Sequence, residues 1–243
     1  MMKRIICLLL VLACSFALFA CEDEEPTGAQ KTALYYKNSL PTKVATTSTQ
    51  TLVDKAGTTV ATLYGTYELK TGAVAGKMAT VQKYEQDYMR TVAEGANAAI
   101  VGPIATDSGS LEYLEGYGRR INGGFWDANG LNFGPTAGSI AINLEDSLLK
   151  DVKYTEGDNG TNTLTFTVPN ANIASVFGAK EDDDTQSILT ASSDVEVTIT
   201  NDGALINSIT ISYSIEATRY YPERRVVMTT EYEYGVQRID LTY

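Results

Sequence analysis

The chain has 243 residues, a formal net charge of −11, no histidine and three cysteines. Without histidine there is no Ser-His-Asp triad, no Cys–His pair and no imidazole metal ligand. Because Cys7, Cys14 and Cys21 all lie in the first 21 residues, the rest of the chain cannot form a disulfide, a zinc–thiolate site or a cysteine nucleophile. The acidic balance argues against binding to nucleic acid, which requires clustered Lys and Arg.

Residues 1–20 have the organisation of an export signal. Two basic residues precede an apolar run, Ile5–Phe19, which is too short to span a bilayer comfortably, since that takes about 20 residues. The run ends in Leu-Phe-Ala-Cys, and four acidic residues follow at once. This boundary resembles the lipobox of bacterial lipoproteins, and the resemblance implies cleavage before Cys21 and lipidation of that cysteine. Cleavage before Cys14, an ordinary signal peptide and a transmembrane anchor are the alternatives.

Three regions follow from the composition along the chain. Residues 1–20 are the predicted lipoprotein signal peptide, and residues 21–33 are the lipidated cysteine with a flexible acidic tether. Residues 34–243 show no linker and no repeat, which predicts a single β-rich domain. A lipid on Cys21 would hold this domain outside the cytoplasm in the cell envelope, at the outer face of the cytoplasmic membrane or at the outer membrane.

Alternation of apolar and polar residues, the period of a strand with one buried face, dominates the domain. The clearest strand covers residues 205–218, and Asn201–Gly203 predicts a hairpin turn before it. A second turn is predicted at Gly157–Gly160. Near the C-terminus the apolar residues change from even to odd positions, which predicts a β-bulge near Gly235–Arg238. The alternative is that the two sets of residues face opposite sides of the sheet.

Short helices are predicted within residues 170–193, at Asn170–Phe177 and at Asp184–Ser192. The predicted fold is mainly β, with a strongly curved antiparallel sheet, or half-barrel, and this short helical insert. An antiparallel β-sandwich and a closed barrel are the alternatives. The order of a lipobox cysteine, a spacer, many antiparallel strands and a late helical insert resembles the lipoprotein carriers of the LolA and LprG type. The resemblance implies an apolar cavity for acyl chains, with the insert as lid or plug.

Motifs for catalysis or metal binding do not match their templates. Gly116–Gly124 lacks the third glycine and the following helix of a dinucleotide site. The acidic run Glu181–Asp184 lacks the alternate spacing of a calcium loop. Ser147–Lys150 and Lys70–Gly72 occur in the wrong order for the penicillin-binding family. We therefore predict no catalytic residue, no metal site and no cofactor, and we predict that the protein is not an enzyme.

The predicted function is a membrane-anchored, extracytoplasmic lipoprotein that binds an apolar or amphipathic, lipid-like ligand in a groove of the curved sheet, without catalysis. The alternative is a structural or adhesive surface lipoprotein that contacts protein or glycan. The predicted partners are the membrane, through the lipid on Cys21, the ligand itself and an envelope protein, but not nucleic acid. The candidate groove and lid residues are Trp126, Phe125, Ile173, Val176, Phe177, Ile188 and Leu189.

Overall fold

The computed structural model describes residues 27–32, 40–88, 91–92, 99–100, 105–133, 142–178, 186–216 and 223–243. Cys21, the predicted signal peptide and the first part of the predicted tether lie outside these ranges. Over the described ranges, no helix is both long enough and apolar enough to cross a bilayer.

Strands make up most of the described chain. They are β1 Lys43–Val53, β2 Thr59–Val74, β3 Lys77–Tyr88, β4 Thr91–Val92, β5 Ala99–Ile100, β6 Ala105–Leu114, β7 Gly118–Ile121, β8 Lys150–Glu156, β9 Asn162–Val168, β10 Val195–Asn201, β11 Ile206–Ile215, β12 Glu223–Glu233 and β13 Gln237–Arg238. Eleven of them form one sheet in the order β7-β6-β3-β2-β1-β12-β11-β10-β9-β8, with β13 beside β2. The strands β4 and β5 pair separately with each other.

The large sheet is antiparallel and open. All its neighbouring strands run antiparallel except β13 and β2, which run parallel. Among the described strands, β7 and β8 are the two edges and do not pair with each other. The predicted mainly β fold with one antiparallel sheet is therefore confirmed. The described strands form neither of the alternatives, a two-sheet sandwich or a closed barrel.

Local turn chemistry sets the hairpins of the C-terminal half. Between β10 and β11, the carboxylate of Asp202 accepts hydrogen bonds from the backbone N–H groups of Ala204 and Leu205, at 2.9 and 2.7 Å. Gly203 follows with a φ of +86°, a conformation that glycine adopts without steric cost. Gly160 has a φ of +81° in the turn between β8 and β9. Both predicted turns are confirmed.

One row of residues defines what we call the inner face of the sheet. Residues directly opposite each other in antiparallel strands share a face. The row crosses eight strands, from β3 through β2, β1, β12, β11, β10 and β9 to β8, and consists of Tyr84, Tyr67, Thr46, Thr230, Ile209, Ile199, Leu164 and Tyr154. The opposite side is the outer face. The row is polar over β3, β2, β1 and β12 and apolar over β11, β10 and β9. The inner face therefore has a polar part and an apolar part.

The larger core lies on the apolar part of the inner face, over β9 to β12. Two short helices, α1 (Ile173–Phe177) and α2 (Gln186–Leu189), pack on it and bury Ile188 and Val176 almost completely. A 3-10 turn, Asn170–Asn172, leads into α1. The amide of Asn170 donates to the carbonyl of Ala191 at 2.7 Å, which ties the start of the insert to its end. The insert therefore fills this part of the sheet.

Residues 27–32, which fall within the predicted tether, have local structure. They form a helical turn in which the Thr27 hydroxyl accepts from the backbone N–H of Gln30 at 3.2 Å. In return, the Gln30 side chain accepts from the backbone N–H of Thr27 at 3.0 Å. This reciprocal pair is a capping box, and it begins a turn whose Ala29 is fully buried in the inner-face core. The packing of Ala29 provides the burial that the polar composition alone does not predict.

A smaller core lies on the outer face at the other end of the sheet. It contains Ala79, Leu114 and Ile239, with Trp126 packed against them. The chain reaches it because β12 ends at Glu233 and the backbone then turns before β13, which runs beside β2. The C-terminal strand is therefore interrupted rather than bulged. The even residues of β12 face the inner side and Ile239 packs on the outer side, as in the alternative to the predicted bulge.

Candidate functional site

A groove of about 350 Å³ lies on the inner face beside the larger core. Its lining comes from β3, β2, β1, β12 and β11, which are consecutive in the sheet, so the sheet bends around the groove. The lining residues are Thr46, Ser48, Gln50, Gly65, Thr66, Tyr67, Gln82, Tyr84, Glu85, Gln86, Tyr213, Ile215, Arg224, Val226 and Met228.

The groove has two chemically different walls. What we call the apolar wall, on β11 and β12, consists of Tyr213, Ile215, Val226 and Met228. What we call the polar wall, on β1, β2 and β3, consists of Thr46, Ser48, Gln50, Tyr67, Gln82 and Gln86. The register places Gln50 opposite Val226 and Ser48 opposite Met228, so the boundary between the walls runs between β1 and β12. The apolar wall is the edge of the larger core, since Tyr213 and Val226 are buried in it.

Glycines on β2 and β6 allow side chains to lie close to the sheet. A Cβ on Gly65 would come within 2.6 Å of the Ser48 Oγ, and a Cβ on Gly109 would come within 2.7 Å of the Tyr84 ring. Ser48 and Tyr84 therefore lie across these glycines instead of standing upright in the groove. The hydroxyl of Tyr84 is 3.5 Å from a carboxylate oxygen of Asp107, whose charge raises the pKa of Tyr84. This tyrosine consequently stays a neutral hydrogen-bonding group over the physiological range.

Arg224 carries the positive charge of the groove lining and lies at the end of the apolar wall. Its Nη1 donates a long hydrogen bond of 3.4 Å to the Oε1 of Gln50. Its Nε is buried and has no hydrogen-bond partner in the structure. The register places Leu52 and Ile215 on either side of it, so its closest neighbours along the row are apolar. No ion pair between described residues includes Arg224.

The next residue, Arg225, has the opposite surroundings. It points to the outer face, where its Nε and Nη2 each lie 3.0 Å from a carboxylate oxygen of Glu223. This hydrogen-bonded arginine lowers the pKa of Glu223, and a second hydrogen bond from Ser214 lowers it further. Among the described residues, Arg225 is therefore paired with an acid and the adjacent Arg224 is not.

The outer face has a second depression of about 550 Å³, which is more open than the groove. It is lined by polar and charged side chains, including Glu68, Lys83 and Glu85. Glu68 is already engaged by Lys70 at 2.8 Å and by Lys43 at 3.8 Å. Because it is wide and has no apolar wall, we do not assign a ligand to it. In the ranges that the structure describes, no three acidic, His or Cys side chains are grouped to hold a metal ion.

The predicted candidate residues lie in three different places. The five candidates in the insert belong to the larger core. Ile173, Val176, Phe177 and Ile188 are buried in it, and Leu189 packs against its margin. They do not line the groove but belong to the same core as Tyr213 and Val226 of the apolar wall. Cys21, the predicted lipidation site, lies outside the described residues.

The aromatic pair predicted for the groove mouth does not line it. Trp126 packs on the outer face, with its ring 5.9 Å from that of Tyr117 and 4.5 Å from the guanidinium carbon of Arg120. Phe125 is 99% exposed in the same loop. The reason is register, because β7 presents Arg120 to the outer face and the loop after β7 folds back on that side.

Sequence reasoning missed Arg224, Gln50 and the other polar-wall residues. A signal for them exists, since Arg224, Val226 and Met228 alternate along one face of a strand, and Thr46, Ser48 and Gln50 do the same on another. What the sequence does not show is that these two strands, separated by more than 170 positions, are neighbours.

No protein-family model matches the chain, and no curated protein is similar to it. Among solved structures, it is similar to a DUF1329 family protein from Desulfovibrio piger, with 10% identity, 86% of this chain and 93% of that chain covered, and a TM-score of 0.25. It is also similar to Rv2717c from M. tuberculosis, with 9% identity, 86% and 100% coverage, and a TM-score of 0.26. At these scores the functional argument depends on the groove itself.

Proposed function

We propose that the protein is a non-catalytic binding protein, anchored through a lipid on Cys21 to a membrane outside the cytoplasm, and that it binds an amphipathic molecule in the inner-face groove. The observation that supports this proposal is the division of the groove into an apolar wall and a polar wall. A molecule with one apolar and one polar part matches both walls at once.

The size and chemistry of the groove suit a small amphiphile. Its volume of about 350 Å³ lies in the range of ligand pockets, and such pockets combine apolar burial with a few polar groups that fix orientation. Each methylene that leaves water against the apolar wall contributes about 0.8 kcal/mol. The amide and hydroxyl groups of the polar wall give direction rather than affinity, because each net hydrogen bond contributes only about 1 kcal/mol.

The ligand is proposed to occupy the groove and not the space beneath the insert. The helices α1 and α2 already fill the C-terminal part of the inner face, with Ile188 and Val176 buried there. The insert is therefore assigned as a plug that supports the apolar wall. We propose binding without catalysis because the groove contains neither a histidine nor a thiol, and its described lining offers hydroxyl, amide and guanidinium groups with one carboxylate, that of Glu85.

Binding of a neutral amphiphile tests this proposal. In isothermal titration calorimetry with 1-octanol, the full chain carrying Cys21→Ser is expected to bind in a single saturable event. Met228→Ser removes part of the apolar wall and is expected to weaken binding about fivefold. Val227→Ser is the matched control, because Val227 is the next residue and is 43% exposed on the outer face. Equal losses in both variants, or no saturable binding, would contradict the proposal and favour the alternative surface role.

Membrane attachment needs its own experiment. Labelled fatty acid is expected to be incorporated into the wild type and into Cys14→Ser, but not into Cys21→Ser. Because one acyl chain binds membranes only marginally, stable attachment of the wild type implies more than one chain on the cysteine. Label on Cys21→Ser at the wild-type level would show that the anchor lies elsewhere.

A further inference from the structure

We infer that the polar end of the ligand is a carboxylate and that Arg224 binds it. This inference rests on the proposed function, since it names the class of amphiphile that the groove takes: an aliphatic chain with a single negatively charged head. Arg224 would bind the head, and the apolar wall would contact the chain.

The first argument is the unsatisfied donor. A guanidinium carries five N–H groups in a planar fork that matches the two oxygens of a carboxylate. In the structure, one of these groups donates to Gln50 at 3.4 Å, and the buried Nε has no acceptor. Buried donors without partners are rare in folded proteins because they lose their hydrogen bonds to water. An incoming oxyanion would supply the missing acceptor.

The second argument is that none of the described acids forms an ion pair with Arg224. Glu85, the acid in the groove lining, is on β3, three strands away from β12, and its register position is on the outer face. The sequence contains 30 acidic and 19 basic residues, and Arg225, next to Arg224, is paired with Glu223. Arg224, in contrast, has Leu52 and Ile215 as its neighbours across the two adjacent strands. Arg224 therefore lies on the inner face, whereas the acid beside it in the sequence, Glu223, lies on the outer face with Arg225.

The third argument is the direction of the apolar wall. Arg224, Val226 and Met228 follow one another along β12 on the inner face. Four residues of an extended strand span about 13 Å, so a chain whose head lies at Arg224 runs along Val226 and Met228. A single guanidinium balances one negative charge, whereas a phosphate monoester carries −1.5 to −2 and the groove lining already includes the Glu85 carboxylate, so a carboxylate head is favoured.

The experiment compares two molecules with the same chain. Calorimetry at pH 7 uses octanoate, 1-octanol and acetate with the full chain carrying Cys21→Ser. Octanoate is expected to bind about tenfold more tightly than octanol, since a hydrogen bond to a charged group contributes 1.5–3 kcal/mol. Acetate is expected to bind much more weakly than octanoate, because it has no chain to bury.

The variants assign this preference to one residue. Arg224→Gln is expected to bind octanoate and octanol equally, with octanol affinity within about twofold of the parent, since the apolar wall is unchanged. Arg224→Lys is expected to retain part of the preference, because an ammonium keeps the charge but not the planar fork. Arg225→Gln is the matched control and is expected to behave like the parent.

The outcomes separate this inference from the proposed function. If the parent binds octanol without preferring octanoate, or if Arg224→Gln keeps the preference, the inference is overturned and the groove remains an amphiphile site. If the parent binds neither molecule, both proposals fail. Should Arg224→Gln not fold, Arg224→Lys decides: a reduced preference for octanoate in that variant supports the inference, and an undiminished preference overturns it.

Discussion

The guanidinium of Arg224 and the side-chain amide of Gln50 meet at 3.4 Å, across strands β12 and β1 at the end of the inner-face groove. This long hydrogen bond joins the end of the apolar wall to the polar wall. Because Gln50 is the acceptor that the structure gives Arg224, the pair also defines where an anionic ligand would complete the coordination of the guanidinium.

Removing the Gln50 acceptor should destabilise the protein more without a bound ligand than with one. Gln50→Leu is expected to lower the free energy of unfolding by about 1 kcal/mol in urea titrations without ligand, since it leaves a charged donor with fewer partners. With saturating octanoate the difference from the wild type should shrink, because the carboxylate supplies acceptors. Gln86→Leu, a polar-wall change on β3, serves as control. An equal loss for both variants, with no change on adding octanoate, would show that Gln50 has no special relation to Arg224.

The plug assignment predicts a graded effect of truncation in α2. Ile188 is fully buried, so Ile188→Ala is expected to destabilise the protein by about 3 kcal/mol through lost burial and a residual cavity. Leu189 packs only at the margin of the same core, and Leu189→Ala should cost less than half as much. Chemical denaturation measures both. If α2 instead moves freely as a lid, the two variants should unfold at nearly the same denaturant concentration as the wild type.

The ion pair between Lys43 and Glu233 predicts a pH dependence of stability. The hydrogen bond from Lys43 lowers the pKa of Glu233 from 4.5, and the same bond raises the pKa of Lys43 from 10.5. The depressed carboxyl pKa contributes stability that is present above pH 4.5 and is lost as the pH falls through the lower folded-state value. The raised lysine pKa contributes stability that is present below pH 10.5 and is lost as the pH rises through the higher folded-state value.

Glu233→Gln should therefore cost most near neutral pH. We expect about 0.5 kcal/mol there, because the Glu233 side chain is 53% exposed and solvent screens the pair, and a smaller difference from the wild type at pH 3 or in high salt. Glu196→Gln is the control, since Glu196 is exposed on β10 and forms no ion pair with a described residue. Urea titrations at pH 3, 5 and 7 measure the effect. A difference that stays constant across these pH values would exclude an electrostatic origin.

The NMR signal of the single tryptophan, Trp126, should not change when the ligand binds in the groove. Trp126 packs on the outer face against Tyr117 and Arg120, on the other side of the sheet from the groove. Its indole N–H resonance is expected to stay within the noise of titration when octanoate is added, while amide resonances of Val226 and Met228 shift. A shift of the Trp126 signal as large as those of the groove would place the ligand on the outer face.

Features with local causes are predictable from this sequence. The turn at Asn201–Gly203 depends on the Asp202 carboxylate and on a glycine with positive φ, and both are visible in three adjacent residues. The alternation in β10 and β11 likewise identifies strands and their buried faces. The helical turn at residues 27–32 was not predicted, because it depends on Ala29 reaching the larger core, which is not a local property.

The groove is not predictable in this way, because it arises from strand order. Alternation assigns Gln50 and Arg224 to one face of their own strands, but it does not state which strands are neighbours or which faces coincide. The same limit explains Trp126, whose position in a turn is visible while its side of the sheet follows from the register of β7. The apolar insert residues were recognisable because burial follows from amphipathic spacing alone.

The most direct test of the groove is a crystal structure of the chain with 8-bromooctanoate. The bromine marks the end of the aliphatic chain through its anomalous signal, and the carboxylate marks the head. We predict the carboxylate at the Arg224 guanidinium and the bromine on the inner face toward Met228, with the helices α1 and α2 in place. A bromine signal beneath those helices, on the outer face near Trp126, or at no ordered position would contradict the account.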